Sequence, residues 1–100
     1  MYGFRSSRNN LGSGVAMARI VSAVGSAFAL IEVIYIVLQI AKANPANGAY
    51  QFVQRMADPL ALFFPGLFTF SEPDLTVMAN YGAAAVFWVI VSGLIARALA

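Results

Sequence analysis

The sequence predicts an all-α membrane protein: two transmembrane helices joined by an amphipathic interfacial helix and a Pro/Phe-rich segment. Three observations carry this. Hydrophobic residues make up 61% of the 100 residues and charged residues 10%, too little polar surface to cover a water-soluble domain. Two apolar runs are each long enough for the roughly 20 residues that a bilayer crossing takes. Between them, residues 44–68 carry helix-start, helix-stop and turn signals that belong to neither run. The expected organisation is an N-terminal tail over 1–14, a first span within 15–42, an interfacial helix and loop over 43–74, and a second span within 75–100.

Composition also bounds the chemistry. The chain has no Cys and no His. That removes the usual zinc sites, His- or Cys-ligated haem, and most nucleophile–base pairs, so no enzyme, catalytic residue, cofactor or metal site is expected. The net charge of +2 comes from six scattered basic residues, which argues against nucleic acid.

Residues 1–14, MYGFRSSRNNLGSG, are polar and Gly/Ser/Asn-rich and read as a flexible or partner-ordered tail. The apolar core of the first span runs over about 20–41, with Arg19 and Lys42 placed to snorkel at its two ends. Glu32 sits near its middle, where a charged, unpaired carboxylate costs several kcal/mol. The bland reading is a neutral Glu hydrogen-bonded to a neighbouring helix, and it outweighs a proton or ion role. Tyr35 and Gln39, at i+3 and i+7, extend a polar stripe on its face. Ala18, Ser22, Gly25, Ser26 and Ala29 have small-xxx-small spacing and are expected on the other side, as a packing face for a partner helix.

In the central stretch, Asn44-Pro45 is a helix-start signal. Ala49, Phe52, Val53 and Met56 then recur at the spacing of one helix face, and Asp58-Pro59 is expected to stop the helix. A shorter apolar run over 60–70, broken at Pro65-Gly66, cannot cross a bilayer. It is expected to lie at the membrane surface with Phe63, Phe64, Phe68 and Phe70 in the interface. Ser71 or Asp74 is expected to cap the second span, which runs from Leu75 or Thr76 to Ala96 and carries Asn80, Tyr81 and Trp88. Arg5, Arg8, Arg19 and Arg97 on the termini's side outnumber Lys42 and Arg55 in the connection. Both termini are therefore expected in the cytoplasm.

The order Ala43-Asn44-Pro45-Ala46-Asn47, Phe52-Val53, Asp58-Pro59-Leu60, Phe64 and Gly66-Leu67-Phe68 resembles the YggT (YlmG-like) family of small membrane proteins, in particular its actinobacterial members. The likeness runs without a gap over 33–68, and a span on either side extends it to most of 30–100. Tyr35 and Gln39 stand where the family pattern has arginines, and Phe63-Phe64-Pro65-Gly66 stands where it has Pro-Phe-Arg-Gly. The resemblance implies the bacterial plasma membrane and an accessory role, since relatives are linked to assembly of membrane cytochrome complexes. The expected function is thus a non-catalytic accessory or assembly subunit of a larger membrane complex, a respiratory one being a candidate. The alternative is a homo-oligomeric ion or proton path using Glu32. Lipid is expected as a partner in either case.

Overall fold

The computed structural model describes the backbone over residues 2–100 and side-chain surroundings from Gly12 onward. Its helices are α1 (Tyr2–Ile40), α2 (Gly48–Leu60) and α3 (Pro73–Leu99). The molecule is a rod with extents of 64 × 28 × 17 Å. Within it, Gly12–Ile40 and Pro73–Leu99 are each long and apolar enough to cross a membrane.

α1 and α3 pack antiparallel along their length. Gly14 approaches the Leu99 carbonyl, Gly25 lies against Ser92 and Trp88, the Phe28 and Trp88 rings meet at 4.8 Å, and Tyr35 meets Tyr81 at 4.7 Å. Gly25 sets the closest approach, because a Cβ there would fall 2.0 Å from Ser92 Oγ. α1 starts well before its expected boundary. The backbone is already helical at Tyr2, so residues 2–14 of the expected tail are the first part of α1. No Pro precedes Pro45 to interrupt the helix. The side chains of Arg5 and Arg8 lie outside the described ones.

The interior is built from small residues and the exterior from large ones. Ala18, Ala29, Ala57, Ala61, Ala84, Ala85 and Ala96 are buried, while most Val, Ile, Leu and Phe side chains point outward. That is inside-out relative to a water-soluble fold, and it suits helices in lipid, where close backbone approach takes the place of hydrophobic burial.

α1 ends in a Schellman turn. Lys42 takes the left-handed conformation at φ 56°, its N–H donates to the Gln39 carbonyl, and Ala43 N–H donates to the Leu38 carbonyl at 2.9 Å. The helix start expected at Asn44-Pro45 falls at Asn47 instead, whose Oδ1 accepts from Ala49 N–H at 2.8 Å and from Tyr50 N–H. Asn44 makes a local turn, accepting from Ala46 N–H, and the Pro45 carbonyl accepts from the Gln51 side chain. The expected stop at Asp58-Pro59 is also displaced. Pro59 lies inside the last turn of α2, and the chain leaves the helix after Leu60, with Leu62 at φ 59°. Pro59 leaves the Arg55 carbonyl without its usual N–H donor, and the helix continues only one residue beyond it.

The buried face of α2 is rotated by one residue from the expected one. Tyr50, Val53 and Ala57 pack inward, while Ala49 is exposed and Phe52 is 65% exposed. Where the outer surface is itself apolar, apolar periodicity does not mark the inward side. α2 also does not lie flat across the end of the α1–α3 pair. Tyr50 meets Tyr35 at one end, and at the other the Leu60 carbonyl accepts from Trp88 Nε1 at 2.7 Å. Tyr81 and Trp88 lie about 12 and 22 Å along α3 from its start, so α2 descends alongside the pair to between those levels.

The chain then climbs back along α3. The Phe64 ring meets Phe87 at 5.6 Å. Phe68 is held at both its N–H and its C=O by the Asn80 side chain, and Phe70 is held at both by Thr76 Oγ1. Gly66, at φ 86°, makes the turn. At the head of α3 neither Ser71 nor Asp74 caps: Glu72 occupies the cap position without a side-chain bond, Pro73 opens the helix and Asp74 sits in its first turn.

Candidate functional site

Glu32 is the largest fully buried side chain among the described residues, and neither of its carboxyl oxygens has a hydrogen-bond partner. Its position follows from the helix register. The Phe28–Trp88 and Tyr35–Tyr81 pairs bracket it, which sets it level with Ala84 and Ala85 of α3. Those alanines and Ala57 of α2, fully buried, leave the room that the carboxyl occupies. Glu32 lies about 12 Å from the end of α1, well inside the apolar length of the helix.

A polar and aromatic group continues from Glu32 toward the α1–α2 turn. Tyr35 is buried one turn on, its ring between those of Tyr81 and Tyr50 at 4.7 and 6.3 Å. Tyr81 OH donates to Asp58 Oδ1 at 3.1 Å, and the Gln39 amide donates to Tyr50 OH. Asp58 is exposed. Helices α1, α2 and α3 each contribute to this group. It places an enclosed carboxyl near stacked phenol rings, one of which bonds the exposed Asp58.

The residues expected as a partner face on α1 divide between two sides. Gly25 and Ala29 are buried against α3 with Glu32 and Tyr35, Ser22 and Gln39 are half-buried, and only Ser26 is exposed. The small-residue face expected opposite Glu32 is therefore the same face. Seven residues of helix turn through about 700°, only 20° short of two full turns, so Gly25 and Glu32 project together. Among the motif residues of the connection, Asp58 joins the polar group through Tyr81. Phe64 stacks on Phe63 and meets Phe87, and Phe68 is fastened by Asn80. Asn44, Pro45, Pro59 and Gly66 shape the backbone of the connection.

Two fastening residues carry more of the architecture than their place in the sequence suggests. Asn80 is buried and clasps Phe68, and Trp88 reaches Leu60. The signal for Asn80 was a lone amide in an apolar helix, which needs bonding partners wherever it is buried.

These features define a helical hairpin with a third helix and a return segment folded against one side of it. Compared with known proteins, the chain matches no family model, no curated protein and no solved structure.

Proposed function

We propose that α1 and α3 span the bacterial plasma membrane with both termini in the cytoplasm, and that the chain is a non-catalytic accessory subunit of a larger membrane complex. In this reading α2 and the return segment enter the bilayer from the outer face and leave by the same face. The exposed Phe52, Phe63 and Leu67 then contact lipid rather than water. Lys42 lies at the head of that element, and the four arginines of the other side favour the cytoplasm.

One observation carries the accessory role. After α3 has used the Gly25 face, α1 still exposes a second small-residue patch away from it, formed by Ala23, Ser26 and Ala27. Lipid tails gain nothing from such a patch, whereas another helix can pack closely on it. The YggT-like order of motifs over 33–68 points to the same role, and the family assignment rests on that order alone. A partner of respiratory, cytochrome-containing type is the candidate it suggests.

The test is purification of the tagged full chain in mild detergent. The chain should migrate with a large complex, and Ala23→Leu or Ala27→Leu should release it while its circular dichroism and Trp88 emission stay unchanged. Migration of the parent chain only as a monomer or homodimer overturns the proposal.

The unpartnered carboxyl of Glu32, beside the Tyr35–Tyr81–Asp58 group, favours a second reading as a proton or ion path. In that case Glu32→Gln abolishes flux in reconstituted vesicles and leaves assembly intact. Unaltered flux removes it. The enclosure of Glu32 between helices of one chain weighs against a pore formed between copies, which would need Glu32 on an outward face.

A further inference from the structure

The end of the hairpin remote from α2 brings two arginines to one groove. Gly14 lies beside the Leu99 carbonyl and Gly25 beside Ser92, and this register puts Arg19 of α1 level with Arg97 of α3. Both arginines line one open groove of about 730 Å³ between the two helices. Ala18, Ser22 and Gly93 lie along it, and Val89, Ile90 and Leu94 make its apolar wall. From Arg97 to Val89 it reaches about 12 Å toward the middle of the hairpin. Gly93 leaves it open, since a Cβ there would meet nothing within 4 Å.

No acidic side chain belongs to this half of the molecule. The acidic residues are Glu32, Asp58, Glu72 and Asp74, and Glu32, the nearest along α1, is about 20 Å from Arg19. Two guanidinium groups lining one groove beside an apolar trough offer a place for an anion between them. Each presents a planar fork of N–H donors suited to phosphate oxygens. The trough below them takes an alkyl chain and has no charge of its own to recognise.

We propose that this groove binds one anionic phospholipid, its phosphate held by Arg19 and Arg97 and one acyl chain lying along Gly93 toward Val89. The two arginines select the headgroup, and the missing side chain at Gly93 selects a bound lipid over a merely attracted one. The site lies at the end of the molecule opposite the Glu32 group; it rests on the membrane-spanning reading of α1 and α3 and not on the accessory role.

The full chain, reconstituted in an equal mixture of phosphatidylcholine and phosphatidylglycerol and released into mild detergent, would be weighed intact by native mass spectrometry. Phosphatidylglycerol should be retained in preference to phosphatidylcholine. Arg19→Gln and Arg97→Gln should each weaken retention about fivefold, the scale of one basic residue's attraction to an anionic lipid surface. Gly93→Phe should abolish it with both arginines in place, and Leu94→Asn, which makes the wall polar, serves if Gly93→Phe does not fold. Equal retention of the two lipids overturns the proposal, as does retention indifferent to a folded groove variant. Displacement by excess inorganic phosphate, or a polypeptide retained in place of lipid, also overturns it.

Discussion

Replacing Gly25 by Ala would put a methyl carbon 2.0 Å from Ser92 Oγ, 2.2 Å from Ser92 Cβ and 3.0 Å from the Trp88 carbonyl oxygen. Comfortable carbon contacts lie at about 3.5–4.0 Å. A change of Ser92 rotamer moves Oγ but not Cβ, whose place is set by the α3 backbone, so the two helices must part locally by about 1.5 Å. Overpacking of this kind costs about 1–3 kcal/mol, and backbone displacement puts the expected value at the upper end. The cost would be read from unfolding of the purified chain in mixed micelles by rising dodecyl sulfate, followed through Trp88, the one tryptophan of the chain. Its indole bridges to Leu60, so its emission reports the docking of α2 as well. Ser92→Gly removes both offending atoms and leaves only the Trp88 carbonyl near the new methyl. The double variant should therefore recover most of the loss. Gly25→Ala within about 0.5 kcal/mol of the parent, the range of an ordinary surface change, would refute the close approach. So would a double variant no more stable than Gly25→Ala alone.

Three further changes probe other parts of the fold in the same assay. Glu32→Met replaces a buried carboxyl lacking partners by an apolar chain of similar length, and should stabilise the protein by about 1–3 kcal/mol; a loss of stability would mean that the carboxyl is bonded. Lys42→Gly relieves a left-handed residue at φ 56° and should stabilise by about 1 kcal/mol, provided Lys42 contributes only its backbone; no gain would place the turn elsewhere. Asn80→Ala strips both bonds from the Phe68 backbone and should cost about 1–3 kcal/mol. It should also speed hydrogen exchange at the Phe68 amide, and unchanged exchange there would show that Asn80 does not hold the return segment.

Some of the architecture needed no tertiary information. The two apolar runs, the turn at Pro65-Gly66 and the exceptional standing of Glu32 are all local matters of residue type and spacing, whereas the helix start expected at Asn44 falls at Asn47. The faces were harder to read. Alternation of polar and apolar residues tells inside from outside when the surroundings are water, but here Phe52 points out and Ala57 points in, because large apolar side chains gain as much outside as inside. Fidelity to helical geometry would have united Gly25 with Glu32, since seven residues nearly close two turns.

What the chain alone determined is its helical class and the presence of two helices long and apolar enough to cross a membrane, because those depend on composition and on runs of neighbours. Only the tertiary structure decided that α2 descends beside the hairpin. It alone joined Asp58 to Tyr81 across 23 residues, Leu60 to Trp88 across 28, and Arg19 to Arg97 at one level. The last of these depends on the register of α1 against α3, and that register is set where Gly25 lets the backbones meet. A glycine in the sequence announces that a close approach is allowed; which helix makes it, and at which residue, is settled only when the partner surface is in place.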